Sequence, residues 1–123
     1  MSTIDFEIKK QKCMFVASFL KALSHPQRML LLCCLVDGEK SVTELEELCG
    51  TSQSVVSQHL SRMRLQGFVS ARRDGNFVFY KIADPRVAIL LAQLEKLFCG
   101  DAATAASFVG VYHAGDSSNS IAY

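Results

Sequence analysis

The chain has 123 residues, half of them apolar, with a net charge of +1 and five cysteines. That length suits one domain burying roughly two thirds of its unfolded surface and leaves no room for two of ordinary size. Its longest apolar run, Met29 to Val36, falls far short of the roughly 18–20 residues that a spanning helix needs, so no membrane crossing is expected.

The first residues, MSTIDFEIKKQK, carry acids where a secretory signal would be basic and have no apolar segment ending in a cleavage site. The expected location is cytoplasmic. Cys13, Cys33, Cys34, Cys49 and Cys99 are odd in number and contain no CxxC, which argues against a disulfide-stapled secreted scaffold. The near-zero net charge hides an asymmetry. Asp37 to Gly50 holds five acids and one base, whereas Thr51 to Ala83 holds five bases and one acid, marking the second segment as the one to meet an anionic partner.

Asp5 to Leu23 has apolar residues spread broadly enough for a helix buried on more than one side, as at an interface. Ser24 and Gln27 form an S-x-x-Q capping box with Pro26 in the first turn, opening a second helix to about Val36. Within it every position from Met29 is apolar, so periodicity cannot say which way Cys33 or Cys34 faces. Neighbouring helical residues point about 100° apart, so the two cannot act together on one face. Asp37-Gly38 ends this helix. Ser41 and Glu44 make a second box for a short helix through Cys49 that Gly50 stops, and Thr51 or Ser52 caps a fourth helix ending at Gly67.

Two short helices joined by a tight glycine-containing turn are the ingredients of a helix-turn-helix. On the fourth helix Val55, Val56, Leu60, Met63 and Leu65 are expected inside. The period then changes: FVSARRDGNFVFYKI alternates around Asp74-Gly75, predicting antiparallel strands over about Phe68–Arg73 and Asn76–Ile82. Asp84 and Pro85 restart a helix to about Cys99, with Val87, Leu90, Leu91, Leu94, Leu97 and Phe98 as its apolar face. Residues 1–99 are therefore expected to form the folded domain, and 100–123, rich in small and polar residues, a loosely ordered tail with room for a short helix near Ala102 to Val109.

This order, four helices, two strands and a last helix, is a mainly α fold with a β-hairpin wing: a winged helix-turn-helix. A recognition helix enters the major groove with its N-terminal half, so Gln53, Ser54, Ser57 and Gln58 are the candidates for base edges, with His59 and Arg62 for phosphates. Arg72, Arg73 and Asn76 would set the wing on an adjacent backbone or minor groove. The partner expected is double-stranded operator DNA. No enzyme is expected, because no GxSxG, HExxH, P-loop or paired carboxylates occur, and Ser57 and His59, two apart on a helix, do not face each other.

The segments ALSHPQRMLLL, SVTELEELCG, TSQSVVSQHLSRMRLQGFVSARRDGNFVFYKI and VAILLAQLEKLFC together resemble the ArsR/SmtB family of bacterial dimeric repressors over about Phe15 to Cys99. The resemblance implies a homodimer built on the first and last helices and a repressor released by a small inducer. Many family members sense metals, but the matching positions of one family site are Ser41, Val42 and Thr43, and of another Asp84, Arg86, Leu97 and Gly100. A transition-metal site needs three or four converging donors, so neither a metal nor any other cofactor is expected.

A subgroup of biofilm growth-associated and sulfide-responsive repressors, by contrast, carries one cysteine in the second helix and one at the end of the last. Counting from His25-Pro26-x-Arg28, Cys33 takes the first slot and Cys99 the second. What this resemblance implies is a dithiol switch, answering a persulfide or polysulfide inducer by a disulfide or polysulfide bridge. A peroxide- or redox-responsive regulator, or a metal- or metalloid-responsive one, is the alternative. Cys34 and Cys49 are left to packing, and Cys13 is a weaker third candidate for sensing.

Overall fold

The computed structural model describes residues 2–99 and Val109. Five helices and three strands follow one another as α1 (Thr3–Leu23), α2 (Pro26–Leu35), β1 (Lys40–Ser41), α3 (Val42–Cys49), α4 (Gln53–Leu65), β2 (Val69–Asp74), β3 (Phe77–Ile82) and α5 (Pro85–Cys99). The expected order thus holds with one addition, the two-residue β1. It pairs antiparallel with β3, Lys40 opposite Tyr80 and Ser41 opposite Phe79, so the wing is the outer part of a three-stranded sheet ordered β1-β3-β2. Lys40-Ser41 has no β-branched or aromatic residue to announce a strand, and only tertiary pairing creates it.

Side-chain caps set most helix ends. Ser41 Oγ accepts from the Glu44 amide while the Glu44 carboxylate accepts from the Ser41 amide, both at 3.1 Å, which completes the expected capping box of α3. Ser52 starts α4 by accepting from the Val55 amide at 3.3 Å. Between these two helices Gly50 adopts φ +65°, a conformation that costs a residue with Cβ and makes the tight helix-turn-helix corner.

The S-x-x-Q box expected at α2 does not form. Ser24 belongs to the end of α1, its hydroxyl donating to the Lys21 carbonyl at 2.9 Å, and His25 is the cap of α2, its Nδ1 accepting from the Gln27 amide at 3.1 Å. The wing hairpin closes one residue later than expected. Asp74 pairs with Phe77, leaving Gly75-Asn76 as the loop, with Gly75 at φ +62°.

The core gathers one face of α2 to α5 and of the wing strands β2 and β3. Leu31 and Leu32 of α2, Leu45 of α3, Val56, Leu60 and Met63 of α4, and Val87 and Leu91 of α5 are completely or almost completely buried. Burial at this level stabilises by about 1.5–3 kcal/mol per large side chain. Helix α1 reaches this core only at its end, through Ala22, Leu23 and the edge-on contact of Phe19 with Phe68 at 5.2 Å between ring centres.

Three residues expected inside lie outside: Leu65 is 90% exposed, Leu97 76% and Phe98 78%. Leu65 belongs to the last turn of α4, beyond the Val56-Leu60-Met63 stripe. Leu97 and Phe98 lie past Leu91, the last fully buried residue of α5. The expected tail and its short helix fall outside the described residues apart from Val109, whose amide donates to Glu95 Oε2 at 2.7 Å.

Candidate functional site

Helix α4 is fixed from beneath by Val56, Leu60 and Met63, and this anchoring presents its polar side chains as a rigid row. Gln53, Ser54, Gln58, Ser61 and Arg62 are exposed, while Ser57 and His59 are half-buried. Ser57, Gln58, His59, Ser61, Arg62 and Leu65 join Arg28 of α2 around an open cleft of about 710 Å³. Four of the residues expected to touch DNA are therefore brought to one surface. Gln53 and Ser54 sit in the first turn of the same helix, and Arg72, Arg73 and Asn76 occupy the separate wing.

Arg28 is a contributor to this surface that the sequence reading did not assign to DNA, although it stands in the quoted HP-x-R segment. Its Nη1 donates to the Ala22 carbonyl at 2.9 Å, which holds the guanidinium beneath α4. Its Nε is buried with no hydrogen-bond partner among the described residues, so a positive group with an unused donor lies at the cleft. Unused buried donors carry a desolvation cost that an incoming acceptor would remove.

The His25 and His59 rings lie 4.7 Å apart at 48°. The side chain that caps α2 therefore also packs against α4. Desolvation lowers the His59 pKa, and the neighbouring His25, Arg28 and Arg62 lower it further. His59 therefore favours its neutral form in the free protein, amid positive potential.

In the wing, Arg72 is engaged within the chain. Its Nε and Nη2 donate to the two carboxylate oxygens of Glu39 at 3.2 and 2.6 Å, and its guanidinium lies 4.6 Å over the Phe79 ring. The paired guanidinium holds the Glu39 carboxyl below its ordinary range. This fork ties the wing to the turn before β1. Arg73 and Asn76 are exposed, and no described carboxylate pairs with Arg73.

The adjacent cysteines of α2 have different surroundings. Cys33 is 3% exposed; burial, then the charges of Cys34 and Glu95, push its thiol pKa up to about 12. Glu95 lies on α5 one turn before Cys99, which is half-buried. Cys34 is 5% exposed, and Cys49 at the end of α3 packs half-buried against the same core. Cys13 is exposed on α1.

Among the described residues no three His, Cys, Asp or Glu side chains converge as metal ligands. Asp84, the one potential ligand of the α5-type family site, is bound in both oxygens by Arg86 at 2.7–3.2 Å. No described helix is long and apolar enough to cross a membrane.

Residues 25–71 match the family model for bacterial regulatory proteins of the arsR family. The chain is 44% identical over 84 residues to the biofilm growth-associated repressor of Xylella fastidiosa, covering 68% of this chain and 74% of that protein. The crystal structure of the X. fastidiosa transcriptional repressor BigR superposes with a TM-score of 0.69 at 40% identity, over 82% of this chain and all of that one. A homodimeric winged helix-turn-helix DNA-binding domain from Mycobacterium bovis superposes with a TM-score of 0.61 at 30% identity, over 79% of this chain and 86% of the other. On the strength of these likenesses the chain belongs to the ArsR family of bacterial regulatory proteins, as a winged helix-turn-helix transcriptional regulator and not an enzyme.

Proposed function

We propose that this regulator is a homodimeric repressor that holds operator DNA with α4 and the wing, and that a bridge between Cys33 and Cys99 releases it. The observation that carries the DNA reading is the α4 cleft, where Gln58, Ser57 and Arg62 project beside Arg28 and a neutral His59. Amide and hydroxyl groups of α4 suit base edges, and Arg28 and Arg62 suit phosphates, which supply salt-dependent affinity. Gln53 and Ser54 extend the same reading edge, and Arg73 and Asn76 give the wing its free contacts. Arg72, spent on Glu39, acts by fixing the wing.

The dimer is supported by the apolar surface that α1 and α5 leave uncovered. Phe15, Val16 and Leu20 of α1 face Ile89 and Leu90 of α5 across a groove of about 340 Å³, and Phe98 and Leu97 continue the exposed apolar residues of α5. Exposed apolar surface of this kind marks an association site. The M. bovis relative, a homodimer, supports a second copy of this chain as the occupant. The same dimer would place two α4 helices for the two halves of one operator.

The sensing step is supported by the burial of Cys33, whose thiol feels the Glu95 charge of α5, and by the likeness to biofilm growth-associated repressors. Thiolate is the attacking species, and a thiol with a pKa near 12 is almost wholly protonated at neutral pH. The more exposed Cys99 is therefore the first to react with a persulfide, and Cys33 closes the bridge. Two cysteine thiols and one persulfide give a disulfide, one thiol and hydrogen sulfide; each further persulfide inserts one sulfur and leaves one more thiol. Such a bridge changes operator affinity only through the different strain it causes in the binding and non-binding dimers. The test is persulfide treatment of reduced protein followed by peptide mass analysis and operator titration. A linked Cys33–Cys99 product with weakened binding is expected, and unmodified thiols with unchanged binding would overturn the switch.

A further inference from the structure

The tip of the wing carries an aromatic side chain that the core does not use. Phe77, the first residue of β3, directly follows the Gly75-Asn76 loop and pairs with Asp74. Alternation along β3 turns Tyr80 into the core, 6% exposed, and leaves Phe77 56% exposed on the opposite face. An apolar ring held in water is unfavourable, yet here it stands beside a polar loop and a free cation. The ring is also braced. Phe79 lies beside it with ring centres 6.4 Å apart at 46°. The Arg72 guanidinium covers Phe79 at 4.6 Å and is held in turn by Glu39 and, at 3.7 Å, by Asp74. On the other face of the hairpin Arg73, opposite Val78, is exposed and pairs with no described carboxylate. The tip therefore presents a cation on one side and a supported apolar edge on the other.

We propose that Phe77 is a specificity-determining wedge. When the wing meets the minor groove beside the α4 half-site, the ring enters one base step, unstacks it and kinks the duplex, so operator choice depends on how easily that step opens. This role rests on the DNA reading above. Apolar side chains inserted in this way open a step and bend the duplex by roughly 20–90°. Pyrimidine–purine steps, TA and CA/TG, give way most easily, and A-tracts resist. Gln58 and its neighbours on α4 read hydrogen-bonding edges in the major groove; Phe77 makes no hydrogen bond and reads deformability.

Position favours this role over a share in the dimer. A strand advances about 3.3 Å per residue, so Phe77 lies one such step from Asn76, at the end of the hairpin. A ring there reaches the surface that Asn76 and Arg73 reach. The apolar groove offered to a second copy is lined by Phe15, Leu20 and Ile89 among others, and no wing residue lines it. A ring already fixed against Phe79 loses less freedom on insertion than a mobile one, so more of the contact appears as affinity. Because that contact is apolar, it releases no counterion and does not weaken with salt, whereas a phosphate contact by Arg73 does.

The test uses full-length protein and a duplex operator selected from random sequences, with 2-aminopurine replacing in turn each adenine that flanks the α4 half-site. Phe77 is exposed, so Phe77→Ala should keep the wild-type melting temperature. Wild type should brighten 2-aminopurine at one step and bind the operator about 5- to 100-fold more tightly than Phe77→Ala does, with the same salt slope. Phe77→Leu, which keeps an apolar wedge, should restore most of the affinity and the brightening. Changing that step to an A-tract should weaken wild type and leave Phe77→Ala unaffected. Equal affinities of wild type and Phe77→Ala would overturn the wedge and leave the DNA reading intact. Lost affinity without brightening in the wild-type complex would do the same, putting the ring against a sugar edge. Wild type that binds no duplex at moderate salt would overturn the DNA reading and the wedge together.

Discussion

The outer face of α4 and the uncovered face of α1 with α5 are both exposed in the single chain, yet they differ in chemistry. On α4 the exposed residues are Gln53, Ser54, Gln58, Ser61 and Arg62, with Arg28 beneath. On α1 and α5 they include Phe15, Val16, Leu20, Ile89 and Phe98. Polar and positive exposure costs nothing in water and suits a polyanion; apolar exposure is costly and calls for a protein surface. Helix α2 gives Arg28 to the first of these regions and buries Cys33 and Cys34 in the core.

The largest effect should come from charging the apolar face. Phe15→Glu with Ile89→Glu should give monomers by sedimentation and, by losing simultaneous grip on two half-sites, weaken operator binding by about 100-fold or more. A persistent dimer would remove α1 and α5 as the interface. On the opposite face, Gln58→Ala should cost about 1–3 kcal/mol and relax preference at one base position. Arg28→Ala should weaken all sequences alike and lower the salt slope by about one. If Arg28→Ala instead alters sequence preference, the cleft is read differently from this account.

A smaller effect concerns pH. The His59 pKa is lowered in the free protein, and a docked phosphate would raise it, so binding takes up a proton. Operator affinity should rise as pH falls from about 7.5 to 6, by at most tenfold per unit for one proton, and His59→Gln should flatten the profile. The free fold has the opposite sign. With the unfolded pKa at its ordinary value and the folded one lower, the stability that His59 contributes is present above the ordinary histidine range and is lost as pH falls through it. Arg72→Ala should matter least, changing affinity by about two- to fivefold, because an exposed pair such as Arg72–Glu39 is worth little. A larger loss would mean that Arg72 leaves Glu39 for the DNA.

Much of this arrangement was legible in the residues. Ser41 with Glu44, Gly50, Asp84-Pro85 and the alternation after Gly67 are local signals, and local chemistry decided those boundaries. What escaped depended on contacts remote in sequence. Lys40-Ser41 is a strand only because β3 lies beside it; His25 caps α2 in place of Ser24 while its ring meets His59, 34 positions later in the chain; Arg72 turns to Glu39 across 33 positions. The thiols divide the same way. The eight-residue apolar run left Cys33 and Cys34 indistinguishable by pattern, and only the fold buries both and brings the Glu95 charge of α5 to bear on Cys33.

The most direct measurement of the central claim is the affinity of reduced and persulfide-treated full-length protein for an operator selected from random duplexes, with Cys33→Ala and Cys99→Ala proteins alongside. The account predicts that treatment weakens wild type by at least about tenfold, that reduction restores it, and that both variants keep their affinity throughout. Undiminished binding by wild-type protein in which Cys33 and Cys99 have been bridged would contradict it.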